Sequence, residues 1–127
     1  MIGWNGSWTA MANEKALLSS LGLCVRAGKV IFGVPMICEA MRRGGRTSPV
    51  LVLEAVDTSE NTHKKITDKC THYGVTHRRL SLDGATLAAA LGKSGSLGAV
   101  ALTDPAMRGM VEKHLPPIPF TQSTDDI

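Results

Sequence analysis

The sequence predicts an α/β protein, a three-layer α/β/α sandwich around a four-stranded mixed sheet. Three observations carry that expectation. Short apolar runs alternate with amphipathic helical runs of about ten residues, the pattern that stacks helices on both faces of a sheet. The run Val50 to Glu54 (VLVLE) is almost wholly apolar, as a strand covered on both sides must be. Glycines and capping residues punctuate the chain between runs. With 127 residues, 43% of them hydrophobic, one domain with an ample core is expected. Its division is a flexible leader over residues 1–12, a domain over 13–115 and a tail over 116–127.

Taken in order, the first helix is expected from about Asn13, its N-cap, to Ala27, with Leu17, Leu18, Leu21, Cys24 and Val25 on one face. Gly28 ends it, and Val30 to Phe32 is long enough only for a strand. Gly33 turns the chain, and Pro35 suits the start of a second helix whose inner face is Ile37, Ala40 and Met41. After Val50 to Glu54, Asp57 with Glu60 three residues on reads as a capping box for a third helix. Its inner face is Ile66, Cys70 and Tyr73, and Gly74 stops it. Val75 to Leu80 is a strand. Asp83 caps a small helix with Leu87, Ala90 and Leu91 inward, and Lys93 to Ser96 is a polar loop. Leu97 to Thr103 is the last strand. Asp104 and Pro105 open a final helix carrying Met107, Met110, Val111 and His114, which Pro116 and Pro117 stop.

The charge is +3, a mild basic bias that permits nucleic-acid contact without demanding it. Its distribution is more informative. Between Arg26 and Arg46 lie five basic residues, Arg26, Lys29, Arg42, Arg43 and Arg46, against one acid, Glu39. A helix start beside Arg26 and Lys29 would receive an anion. Aromatics at 4% argue against a module that stacks single-stranded bases on rings. The three cysteines, Cys24, Cys38 and Cys70, form no CxxC and lie on helical stripes, as buried thiols of a reducing cytoplasm would. No nucleotide loop, nucleophile elbow or metal-ligand spacing occurs, and His63, His72, His77 and His114 read as surface histidines. No enzyme activity, cofactor, metal or membrane span is therefore expected.

Four stretches occur in the order and spacing of one known superfamily: RAGKVIFG, a helix ending RRGG, VLVLEAVDTSENTHKKI, and LGKSGSLGAVALTD. Over roughly Asn13 to Lys113 the chain resembles the bacterial branch of the kink-turn RNA-binding ribosomal proteins. These are the archaeal L-seven-Ae type, grouped with the eukaryotic thirty-e and twelve-e proteins. The resemblance implies a non-catalytic, cytoplasmic, monomeric binder of structured RNA, ribosomal or kink-turn-like, with ribosomal or other proteins as further partners. It implies a binding surface of two parts, the Gly33 turn with the helix after it and the loop before the last strand. Onto this sequence that surface maps as Arg26, Lys29, Gly33, Val34, Arg42, Arg46, Lys93, Ser94, Gly95 and Ser96. Pro35, Met36 and Glu39 depart from the Asn, Glu and Lys that the family's best-studied members use to read base edges and phosphate. Losing two such contacts would remove roughly 2–6 kcal/mol. A protein-protein adaptor on the same scaffold, with an apolar patch near Met36, is the alternative.

Overall fold

The computed structural model describes residues 2–115, with side chains over 14–115. Its elements are α1 (Ile2–Arg26), β1 (Val30–Phe32), α2 (Val34–Arg43), a short 3-10 turn (Gly45–Thr47), β2 (Leu51–Glu54), α3 (Glu60–Tyr73), β3 (Thr76–Arg79), α4 (Gly84–Ala90), β4 (Ala99–Leu102) and α5 (Pro105–Glu112). The four strands form one mixed sheet in the order β1-β4-β2-β3. β4 runs antiparallel to both neighbours, with Val30 and Leu51 each opposite Leu102, while β2 and β3 are parallel, Val52 opposite His77.

Alternation along the strands sorts the core into two clusters, because successive side chains leave opposite faces of a sheet. Leu51, Leu53, Val100 and Leu102 pack with Leu17, Leu21 and Cys24 of α1, Leu87 of α4 and Val111 of α5. Val52, Ala99 and Ala101 pack on the other face with Ile37 and Met41 of α2 and Ile66 and Cys70 of α3. This is the three-layer sandwich the sequence predicts. β4, last in sequence, lies between β1 and β2 and is buried throughout.

Several local expectations are corrected. α1 begins at Ile2, so Asn13 lies within it rather than capping it. Asp57 does not cap α3. Ser59 does, accepting from the Thr62 N–H, and Asp57 instead accepts from the Gly84 N–H at 2.9 Å, tying the segment after β2 to the start of α4. Tyr73 is exposed where an inward position was expected, and on α4 it is Ala88 rather than Ala90 that is buried beside Leu87. Asp83 and Asp104 cap α4 and α5 as expected; hydrogen bonds from Thr86 hold the Asp83 carboxyl below its ordinary range. The expected stop at Pro116 and the tail lie outside the described residues. Among those residues no helix is long and apolar enough to cross a membrane.

Candidate nucleic-acid interface

β1, β2 and β3 finish, and β4 begins, at one end of the sheet. Gly33 turns the chain there from β1 into α2. Its φ of 89° lies where side-chain-bearing residues are strained, so the turn requires glycine. Its N–H closes onto the Ala99 carbonyl at 3.0 Å, and its carbonyl accepts from Ile37. No side chain caps α2, and Pro35 contributes no N–H to its first turn. Gly33→Ala is expected to cost about 1–3 kcal/mol in urea unfolding, the strain of one residue forced into that region.

The loop before β4 closes over the same corner. It is anchored by Lys93 N–H to the Ala88 carbonyl at 2.8 Å and Leu97 N–H to the Gly84 carbonyl at 3.0 Å. Lys93, Ser94, Gly95 and Ser96 are exposed, and Lys93 Nζ rests 4.3 Å from the centroid of the Phe32 ring. Gly98 is the meeting point. A Cβ placed there would stand 3.4 Å from Val34 Cγ2 and 3.5 Å from Thr58 Cγ2. The start of α2, the loop over 93–97 and the segment between β2 and α3 therefore share one face. Arg79, exposed at the end of β3, adds a cation at this end and donates to the Val56 carbonyl at 2.9 Å.

Arg26 and Lys29, expected beside the helix start at Gly33, lie elsewhere. Lys29 precedes β1, its carbonyl accepting from the Thr103 N–H beyond the far end of β4. The strand between sets Lys29 about 13 Å from Gly33. Arg26 ends α1 on the same far side. Arg42 and Arg46 follow at the C-terminal end of α2, whose ten residues span about 15 Å. The register of β1 against β4 thus overturns the expectation that Arg26 and Lys29 flank the helix start. Arg42 is also engaged: its guanidinium grips Glu39 at 3.1 and 2.5 Å, with Arg43 at 3.8 Å. The Arg42 hydrogen bond holds the Glu39 carboxyl below its ordinary value, so this acid faces solvent as one half of a pair.

No protein-family model matches the sequence. The chain is 39% identical over 84 residues to the RNA-binding protein YlxQ of Bacillus subtilis (strain 168), a match spanning 66% of this chain and 79% of that protein. It is 36% identical over 63 residues to the RNA-binding protein YlxQ of Enterococcus faecium, 50% of this chain and 58% of that one. The chain belongs to the YlxQ family. Among solved structures, a Bacillus halodurans C protein of unknown function superposes with a TM-score of 0.67 at 26% identity, covering 77% of this chain and 94% of that one. The Giardia lamblia 15.5kD RNA binding protein shares the fold, with a TM-score of 0.64 at 16% identity over 81% and 84% of the two chains.

Behind the shared face this YlxQ-family chain carries a polar cluster that the sequence reading missed. Glu54, the last residue of β2, is fully buried. Its carboxylate accepts from the Thr58 hydroxyl, lies 2.8 Å from His63 Nδ1 on α3 and 2.7 Å from His77 Nε2 on β3. Burial alone would push the carboxyl up; the hydrogen bonds from Thr58, His77 and His63 together outweigh it and hold it below its ordinary value. The one signal available was an acid closing an otherwise apolar strand run. The cysteines divide as their faces require. Cys24 and Cys70 are buried and Cys38 is half-buried. Burial raises the Cys24 thiol, and burial with the nearby Cys38 and Glu54 raises Cys70 to about 11. Cys70 should therefore resist alkylation by iodoacetamide at pH 8 in the folded chain and react once urea unfolds it, as mass spectrometry would read.

Proposed function

We propose that the chain is a non-catalytic RNA-binding protein that holds structured RNA against the sheet end formed by Gly33, Val34 and the Lys93–Ser96 loop, with residues 13–115 as the binding unit. The observation that carries this reading is the junction at Gly98, which brings the end of the loop against Val34 at the start of α2 and Thr58 after β2. The two relatives named as RNA-binding proteins supply the ligand class. Such a face suits RNA that is already distorted, because a regular A-form major groove is too narrow for a helix to enter. The protein acts as a cytoplasmic monomer in this reading.

Phosphate contacts supply most of the binding energy, so affinity should fall steeply with salt. Lys93→Ala should weaken binding to a folded RNA across sequences and lower the slope of log affinity against log salt by about one, measured by fluorescence anisotropy at several salt concentrations. Arg26→Ala and Lys29→Ala, at the far end, should change little. A strong loss from those two with none from Lys93→Ala would move the RNA to the opposite end of the sheet. The absence of binding to any structured RNA would sink the reading altogether.

The finer reading is a kinked ribosomal-type RNA. Pro35 and Met36 in the first turn of α2, and Glu39 about a turn further on, stand in place of the groups that read base edges and phosphate, and Glu39 is occupied by Arg42. A kink-turn RNA is compared with a straight duplex of matched composition; equal affinity removes the kink-turn from the proposal. One observation favours the adaptor alternative, the 56% exposure of Met36 on the same face. Met36→Lys should leave RNA affinity intact or raise it if RNA is the ligand, and should abolish capture of a protein partner if an adaptor role holds.

A further inference from the structure

We propose that Glu54, His63 and His77 form a binding site for one divalent transition-metal ion of the zinc class. Among the described residues these three present one ligand atom each within 4.8 Å of one another. They come from three elements: Glu54 from β2, His77 from the parallel neighbour β3 and His63 from α3, which packs over both. Side chains on paired strands and an overlying helix are held in place by the fold, which is what a preformed site needs.

The donor set suits the ion. The two imidazoles are borderline ligands that favour zinc over magnesium or calcium, and one carboxylate completes a donor set that zinc accepts. Three protein ligands leave a fourth position for water. A tetrahedral ion with bonds of about 2.0–2.2 Å keeps its ligand atoms roughly 3.4 Å apart. The carboxylate now lies 2.7 Å from His77 Nε2 and 2.8 Å from His63 Nδ1, so loading asks each ring nitrogen to part from it by roughly 0.6–0.7 Å. The Thr58 hydroxyl holds Oε2, which leaves Oε1, the oxygen nearest both rings, for the ion. Glu54 is wholly buried, while the His63 and His77 side chains are 30% and 18% exposed, so an ion reaches the carboxylate past the rings.

The proton balance closes without a further reactant. An ionised carboxylate only accepts, so each facing ring nitrogen now carries hydrogen. On binding, that hydrogen moves to the other ring nitrogen of a neutral imidazole, or leaves to solvent from a protonated one, and the freed lone pair binds the ion. The site stands independently of what the neighbouring face binds.

The test uses the full chain, untagged and stripped with a chelator. Zinc chloride is titrated by calorimetry, and cobalt(II) is followed by its visible absorption. One ion per chain at micromolar affinity or tighter is expected, with a cobalt spectrum of low coordination number and a melting temperature that rises with zinc concentration. His63→Asn and His77→Gln each keep an N–H aimed at Glu54 while removing the imidazole ligand. Together they should weaken zinc at least 30-fold, and His72→Gln, on the surface of α3, should change nothing. Should the double variant fail to fold, His63→Asn alone, at the more exposed ring, carries the comparison and should weaken zinc at least fivefold. No saturable binding in the native chain overturns the proposal. So does equal binding by the variants, or binding lost in Cys38→Ser but not in the histidine variants.

Discussion

Glu54→Ala should destabilise the chain by about 2–4 kcal/mol, because it empties a buried volume and strips three hydrogen-bond donors of one charged acceptor. Thr58, His63 and His77 all converge on that carboxylate, and none of the three has an equivalent acceptor in the cluster. Glu54→Gln keeps the volume and one accepting oxygen, so about half that loss is expected. The pH dependence separates the two contributions. The folded state holds the Glu54 carboxyl below its ordinary value of 4.5. Its share of stability is therefore fully present above pH 4.5 and is lost as the pH falls through the lower folded value. In urea unfolding of chelator-treated protein, the gap between native chain and Glu54→Gln should narrow as the pH falls below 4.5. A gap that stays constant down to pH 3 would mean that the carboxylate does not contribute as a charged acceptor.

Gly84→Ala should have the second large effect. Gly84 is buried at the start of α4, and a Cβ there would stand 2.8 Å from the Leu97 carbonyl oxygen, 3.3 Å from its carbon and against Ser96 Oγ. Ser96 Oγ can rotate away, but the Leu97 carbonyl is backbone, so the loop itself must shift. An overpacked site of this kind costs about 1–3 kcal/mol. The shift would also break the Leu97–Gly84 and Gly84–Asp57 hydrogen bonds and lift Lys93 away from Phe32. RNA affinity should fall with it, if the proposed face is the binding face. Gly22→Ala is the contrasting substitution. Gly22 lies inside α1 with nothing within 4 Å of an added Cβ, so alanine there should raise stability by about 0.5–1 kcal/mol and leave binding unchanged. Thermal or urea unfolding of both variants decides the matter; a neutral Gly84→Ala would show that the loop is loosely held.

Much of this was legible in the chain itself. The strand at Val50 to Glu54 announced itself by its apolar run, and the α2 face by the spacing of Ile37, Ala40 and Met41, all three buried. Asp83 and Asp104 were readable as caps because a cap is a local hydrogen bond, made within three residues of its own position. Asp57 was misread for the complementary reason. Its sequence neighbours fit a capping box, but its partner, the Gly84 N–H, is far along the chain. Tyr73 and Ala90 were misplaced because periodicity fixes a helix face only to within about one residue near a helix end.

Local pattern, by itself, determined the class of elements, the two core faces and the glycine turn at Gly33, since each depends on side-chain period or on one backbone angle. Only the tertiary structure decided which ends of those elements meet. Pairing of β1 with β4 carried Arg26 and Lys29 away from the turn and brought Lys93 onto Phe32. Pairing of β2 with β3 under α3 gathered Glu54, His63 and His77, which no spacing along the chain links. Strand register is set by which apolar surfaces can be buried together across the whole sheet, and that is a property of the assembled core rather than of any single stretch.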